Sequence, residues 1–292
     1  MSDVPEPGVI ARIADVLGWV PESWRRVHGG YTPTARFVAA GKRGSVFVKV
    51  ATTPVTVDML HREIKVYQDL TAPFIPRLIG ADDDPDVPIL IIEDLSDAVW
   101  PPPWTGDSVE EVLAAIAAMH ATNASPLRLG TLLDERDEGW PKIAETPAPF
   151  LSLGLVSARW LEAVLPALID AERSCALTGD ALTHLDLRSD NLCITHEGVK
   201  FIDWAEARRS SSRVDLGFFL PSLAYEGGPL PEAILPDAPD LAALISGFFA
   251  LRAGLPDIPG SPFVRRVQRE QLSTALPWAI RALGLPPPEP AT

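Results

Sequence analysis

The stretch His184-Leu185-Asp186-Leu187-Arg188-Ser189-Asp190-Asn191, with Phe201-Ile202-Asp203-Trp204 following, constrains this chain more than any other. Its skeleton is H-x-D-x-x-x-x-N, then two short apolar runs, Asn191–Thr195 and Val199–Ile202, then an aspartate. The turn His196-Glu197-Gly198 between the runs predicts a pair of short strands. A lone H-x-D means little, because a structural histidine beside a surface aspartate is ordinary. The complete spacing, set between a helix and a hairpin and ending in a carboxylate after an apolar run, is far more restrictive.

The segments around this stretch change character along the chain. Arg36–Ala40 and Ser45–Val50 read as strands joined at Gly41-Lys42-Arg43-Gly44, a hairpin with glycines at its turn. Thr53-Pro54 is an N-cap and N1 pair opening a helix from about Val55 to Leu70, with Glu63 on it. Pro88–Ile92 is a continuous apolar run, as in a strand buried on both faces. After Leu95 the stiff connector Trp100-Pro-Pro-Pro-Trp104 leads to a helix ending near His120, with Ser108 and Glu111 as its expected capping box. A second helical pattern covers about Ser157–Leu177, and from Asp215 onward the pattern is helical and punctuated by proline. The expectation is an α+β fold of two lobes: residues 1–95 a β-rich nucleotide-binding lobe, residues 96–292 a helical lobe carrying the 184–203 stretch.

Phosphoryl transfer needs the groups found in that stretch. One carboxylate must orient the attacking hydroxyl and accept its proton, and a second carboxylate with an amide must hold a metal on the triphosphate. HLDLRSDN and FIDW resemble the catalytic loop and metal-binding segment of aminoglycoside phosphotransferases and related choline-kinase-like enzymes, which share the protein-kinase fold. The resemblance implies Asp186 as catalytic base, Asn191 and Asp203 as Mg2+ ligands, and His184 as a brace for the loop. It places Arg188 where protein kinases carry a lysine that touches the transferred phosphate. Asp215 corresponds to a structural brace. Leu185 departs from the pattern, since most phosphotransferases of this kind have glycine there, and the backbone is expected to differ at that point.

Further matches lie upstream in the same order. Gly29-Gly30-Tyr31-Thr32-Pro33-Thr34 resembles the nucleotide loop between the first two strands, where glycines let backbone amides approach phosphates. Lys49, ending Val46-Phe47-Val48-Lys49, resembles the strand lysine on the α- and β-phosphates, with Glu63 as its ion-pair partner. Strand alternation puts Phe47 on the face of Lys49, against adenine. Glu93-Asp94-Leu95 resembles the hinge that meets the adenine edge. Each residue alone has a plain explanation as turn, exposed lysine or helix glutamate. Their shared order does not.

The resemblance therefore implies an ATP- or GTP-dependent phosphotransferase using Mg2+ and acting on a small molecule with a free hydroxyl. Only a dozen residues separate Asp203 from Asp215, and no A-P-E sequence follows, which leaves no room for a peptide platform. Among small acceptors, an antibiotic such as an aminoglycoside or another hydroxylated natural product is expected first. A metabolic amino alcohol or sugar alcohol is the alternative. Acidic residues Asp134, Asp137, Glu138, Glu206 and Glu226 would receive a polycation, and Trp100, Trp104, Trp204 and Tyr225 would pack against rings. A nucleotide-binding pseudokinase would normally have lost Lys49, Asp186 or Asp203. A metal hydrolase would need a denser cluster than five scattered histidines.

Composition closes other routes. With 25 basic against 39 acidic residues and a net charge of −14, the chain has no basic patch for nucleic acid. No apolar run approaches the roughly 18 residues of a membrane span, and the N-terminus lacks the basic and apolar regions of a signal peptide, so a cytoplasmic protein is expected. Cys175 and Cys193 are too few for a disulfide framework, and Cys193 in Asn-Leu-Cys-Ile-Thr is expected as a buried small hydrophobe. Nothing in the sequence sets an oligomeric state.

Overall fold

The structure, a computed structural model, describes residues 3–123, 129 and 138–288. Five antiparallel strands form the first sheet in the order β1-β2-β3-β5-β4, with β1 Ser23–Arg26, β2 Ala35–Gly41, β3 Gly44–Val50, β4 Leu78–Asp82 and β5 Ile89–Glu93. The predicted turn sets the register of its central hairpin. Gly41 pairs with Gly44, and counting back along both strands pairs Arg36 with Lys49.

The sheet is covered on both faces, which explains the unbroken apolar run of β5. Ile89 and Ile91 join Val46, Val48, Val50 and Ile13 of helix α1 (Pro7–Leu17). Leu90 and Ile92 face the other way, toward Leu60, Ile64 and Tyr67 of helix α2 (Pro54–Asp69). Thr53 caps α2 as predicted, its side chain accepting from Thr56 N at 3.3 Å. The sequence reading contained neither α1 nor the edge strands β1 and β4, whose short mixed patterns carry little periodicity.

The rest of the described chain is mainly helical: α3 Gly106–His120, α4 Gly139–Glu145, α5 Ala148–Leu151, α6 Ala158–Ser174, α7 Ser212–Tyr225, α8 Pro231–Ile234, α9 Pro239–Ala253 and α10 Val264–Ala282. One expectation is corrected at α3. Its N-cap is Thr105, and Ser108 is the N3 partner rather than the cap. Thr105 is itself a good capping residue, and the helix begins one turn earlier than the Ser108/Glu111 spacing suggested.

Two hairpin-like ladders hold the motif stretch. Strand β6 (Ala181–Thr183) pairs with β9 (Arg208–Ser210), and β7 (Leu192–Thr195) pairs with β8 (Gly198–Phe201). Beneath them one core joins the lobes, where Leu60, Ile64 and Tyr67 of α2 meet Leu182, Phe201, Trp204 and Phe219. Burial of this kind, worth about 1.5–3 kcal/mol per large side chain, fixes the ladders against α2. Cys193 is fully buried, as expected. No helix among the described residues is long and apolar enough to cross a membrane.

Candidate active site

The catalytic-loop backbone is tied down before its functional groups begin. Asp215, fully buried near the start of α7, accepts from the backbone N–H of His184 at 3.0 Å and of Leu185 at 2.7 Å, and meets His120 Nε2 at 3.0 Å. His184 Nδ1 accepts from Asp186 N at 3.3 Å, which leaves Nε2 as the donor to Ile202 O at 2.9 Å. Burial pushes the His184 pKa down, consistent with this neutral tautomer. Both residues are braces, as expected. Leu185 keeps a glycine-like backbone instead of diverging from it. Its φ is 61°, a left-handed conformation costing a side-chain-bearing residue roughly 1 kcal/mol, and the Asp215 hydrogen bond holds it there.

This loop presents Asp186. Arg188 Nη1 donates to its Oδ1 at 2.5 Å, and Asn191 Nδ2 donates to its Oδ2 at 2.9 Å and its backbone carbonyl at 2.8 Å. Desolvation in the cleft, with Asp203 and Asp190 nearby, outweighs these contacts and pushes the Asp186 pKa up to about 7. Arg188 also spans Asp190, at 2.9 Å from Nε and 3.2 Å from Nη2, and its guanidinium lies 4.9 Å from the ring centre of Tyr31. Below it Ser189 Oγ donates to Glu226 Oε1 at 2.5 Å, and Trp104 Nε1 donates to Glu226 Oε2 at 2.7 Å.

Lys49 enters from the other lobe. Its Nζ donates to Glu63 Oε2 at 2.7 Å and Oε1 at 2.9 Å, and lies 3.3 Å from Asp203 Oδ1. Burial would raise Asp203, but Lys49 and Arg36 outweigh it and hold this carboxyl below its ordinary range. Burial pushes Glu63 upward against the pull of Lys49. Asp203, like Leu185, has a left-handed backbone, with φ 67°. Because the Asn191 amide nitrogen is spent on Asp186, its Oδ1 is the atom left to serve a cation. Asn191 Oδ1 and an ionised Asp203 make a hard oxygen pair that suits Mg2+. Among the described residues no group of three or more His, Cys, Asp or Glu could hold a metal. A cation here would take two protein oxygens, with phosphate and water supplying the rest.

The loop from Val27 to Thr34 carries Gly29, Gly30 and Thr32 between β1 and β2. Arg36 organises it, donating from Nη1 to Gly29 O at 3.2 Å and Thr34 O at 3.0 Å, and from Nη2 to Thr32 Oγ1 at 3.2 Å. Gly30 has φ 72°, and a Cβ there would fall 2.7 Å from Arg36 Nη2, so both backbone and packing demand glycine. Arg36 escaped the sequence reading, although the predicted hairpin already pairs it with Lys49.

Two cavities flank these groups. The smaller, about 240 Å³, is lined by Phe47, Ile92, Glu93, Leu95 and Trp100 among others. The Glu93 side chain accepts from Arg77 N at 3.0 Å. The larger, about 860 Å³, is lined by Asp186, Arg188, Asn191 and Asp203 together with aromatic residues of α7 and α9. Of the expected acceptor-contacting residues that the structure describes, only Glu206 lines it. Trp204 is core, Glu226 and Trp104 form the brace under Ser189, Tyr225 is exposed, and Glu138 pairs with Arg173 at 3.7 Å. Asp134 and Asp137 lie outside the described residues. Tyr31, Phe218, Phe248, Phe249 and Gln271, which line the cavity, were not singled out from sequence.

Comparison with known proteins agrees with this architecture. The model of the phosphotransferase enzyme family matches residues 23–255. A thermostable mutant of aminoglycoside phosphotransferase APH(4)-Ia, in ternary complex with ADP and hygromycin B, is similar at TM-score 0.59 and 14% identity, covering 95% of this chain and 98% of that one. Choline kinase LicA from Streptococcus pneumoniae is similar at TM-score 0.57 and 14% identity, covering 94% and 97%. Amicoumacin kinase hAmiN, in complex with AMP-PNP, Ca2+ and Ami, is similar at TM-score 0.55 and 13% identity, covering 93% and 94%. At these identities the likeness concerns the two-lobed kinase-like fold. No curated protein sequence matches significantly.

Proposed function

Since the chain belongs to the phosphotransferase enzyme family and is a phosphotransferase with an alcohol group of a small molecule as acceptor, we propose that it moves the γ-phosphate of ATP onto a hydroxyl of a natural product, antibiotics included. The observation that carries this reading is the meeting of three separate segments. Lys49 of β3, already paired with Glu63, lies 3.3 Å from Asp203, and Asp203 shares one cavity with Asp186, Arg188 and Asn191.

The geometry supports the following roles. Asp186, which lines the larger cavity and has an elevated pKa, accepts the proton of the attacking hydroxyl. Asn191 Oδ1 and the Asp203 carboxylate hold Mg2+, which when bound neutralises charge on the phosphate oxygens. Lys49, positioned by Glu63, holds the α- and β-phosphates, and the Gly29–Thr32 backbone covers them. Arg188 sits beside Asp186 to meet the transferred phosphoryl group. Phe47 and the Glu93–Leu95 turn line the smaller cavity, whose size and apolar wall suit a purine. Solved nucleotide complexes of similar fold, with ADP and with AMP-PNP, support a nucleotide in this cleft.

The test is an acceptor screen with MgATP, reading ADP release and a product heavier by one phosphate, beside the Asp186→Ala protein. Transfer by the parent and none by the variant is expected. Robust turnover by Asp186→Ala would remove Asp186 from its role, and failure of the parent to bind nucleotide would remove the kinase reading itself.

A further inference from the structure

The short turn Ser189–Asn191 presents two of the side chains to which the transfer chemistry is assigned. Arg188 immediately precedes it and Asn191 closes it, and Asn191 N donates to Arg188 O at 2.9 Å. Three residues closed by that bond do not fix their own position, so outside contacts must.

The segment that links the two lobes is tied to this turn twice. Val99 and Ile194 exchange backbone hydrogen bonds, each of 2.9 Å, and Ile194 lies on β7, which starts at the residue after Asn191. Trp104, at the end of the same connector, reaches the turn through Glu226. Trp104 Nε1 donates to one Glu226 oxygen at 2.7 Å, and Ser189 Oγ donates to the other at 2.5 Å. Ser189 is 7% exposed, so its hydroxyl depends on this partner.

The chain holds Glu226 firmly for this contact. Helix α7 ends in a glycine stop, where Gly228 N donates to Leu223 O at 2.9 Å and Gly227 N to Ala224 O at 3.2 Å, with Gly227 at φ 89°. The Trp104 ring packs edge-on against Phe219 of the same helix, with centroids 5.9 Å apart. Yet a carboxylate at a helix C-terminus meets the negative end of the dipole. Helix stability therefore does not account for an acid at this position.

Resting on the kinase reading above, we propose that Glu226 is a positioning residue for phosphoryl transfer: it clamps the Ser189–Asn191 turn to the interlobe connector and so fixes where Asn191 Oδ1 and the Arg188 guanidinium stand. It acts through Ser189 rather than on the nucleotide or the metal. Glutamine can keep both contacts, because its amide oxygen accepts from Trp104 and its NH2 donates to Ser189 Oγ. Alanine keeps neither.

The experiment uses the full chain and needs no acceptor. AMP-PNP is titrated with and without Mg2+ into the parent, Glu226→Ala, Glu226→Gln and Ser189→Ala, and amide exchange is followed in each nucleotide-free protein. In both alanine variants the Mg2+-dependent gain in AMP-PNP affinity should fall about tenfold, while metal-free affinity stays within about twofold of the parent. Glu226→Gln should keep most of the gain. The double variant Glu226→Ala/Ser189→Ala should be no worse than either single one, because both break the same link. Exchange at Asn191 should quicken about tenfold in the alanine variants, while the His184 and Leu185 amides, tied to Asp215, keep their parental rates. Should Glu226→Ala fail to fold, Ser189→Ala carries the same comparison. An unchanged Mg2+-dependent gain in the alanine variants, additive effects of the two substitutions, or a Glu226→Gln protein as impaired as Glu226→Ala overturns the inference and leaves the kinase reading in place. Failure of the parent to bind AMP-PNP instead sinks the kinase reading. The exchange rates still decide whether Glu226 holds the turn, since a parental Asn191 rate in the alanine variants shows that it does not.

Discussion

Arg188 Nη1 lies 2.5 Å from Asp186 Oδ1 while its Nε lies 2.9 Å from Asp190 Oδ1, so a single guanidinium is shared by the proposed base and a second carboxylate. The shared cation pulls the Asp186 pKa down against the desolvation that raises it. Replacing Arg188 with Ala removes that pull. We expect kcat to fall about a hundredfold or more, and the acid limb of the kcat/KM profile to move to higher pH, because Asp186 then deprotonates later. A pH-rate profile of the two proteins checks both; an unshifted limb would separate Arg188 from the ionisation of the base.

Asp186→Asn should be inactive yet more stable than the parent at neutral pH. The folded-state pKa of Asp186, about 7, lies above the ordinary value of 3.8, so the folded protein favours the protonated form. As pH rises from about 4 to 7 the unfolded chain ionises first, and the carboxyl increasingly opposes folding. The side chain is 35% exposed, so solvent screening reduces the effect to roughly 1 kcal/mol. Urea melts of parent and variant should nearly coincide near pH 4 and separate toward pH 7. A constant gap would show that the carboxyl's ionisation is not what differs.

Lys49→Met leaves Glu63 buried without its cation. Breaking a buried pair in this way costs about 3 kcal/mol at pH 7. Burial already pushes Glu63 upward, and loss of Lys49 raises it further, so protonation should recover part of the loss as pH falls toward 5. Denaturation of the variant at both pH values reads this directly, and adding Glu63→Gln to the same protein should recover stability without recovering activity.

Gly30→Ala should act through the nucleotide. The added methyl meets Arg36 Nη2 at 2.7 Å on a backbone with φ 72°. Arg36 must then release part of the loop it holds, so the KM for ATP should rise about tenfold while the KM for the acceptor changes little. Equal changes in both would mean that the loop spans donor and acceptor alike.

Much of the first lobe was legible because its signals are local. The glycine turn at Gly41–Gly44 sets the β2–β3 register, and Thr53-Pro54 starts α2 where the capping rules put it. Errors arose where two local signals competed or where only the partner decides. Thr105 and Ser108 are both capping residues, and the structure uses both, one as cap and one at N3. Trp204 and Glu226 look like pocket residues by type, but one is sealed between Phe74, His184 and Phe201, and the other is consumed by Ser189 and Trp104.

The sequence by itself determined the polar residues to which the proposed chemistry is assigned. Asp186, Asn191 and Asp203 sit on one loop and one hairpin, so short-range geometry carries them together whatever the distant chain does. Lys49 and Glu63 follow from a strand and the helix after it. Only the tertiary structure decided which helical residues line the larger cavity. Phe218, Phe248, Phe249 and Gln271 come from three helices widely separated in the chain, and α9 is buried on nearly every side, so its periodicity does not mark the face that lines a cavity. Which apolar side chains border empty space rather than neighbours depends on how α7, α9 and α10 pack against one another, and that is a property of the assembled interior rather than of any local segment.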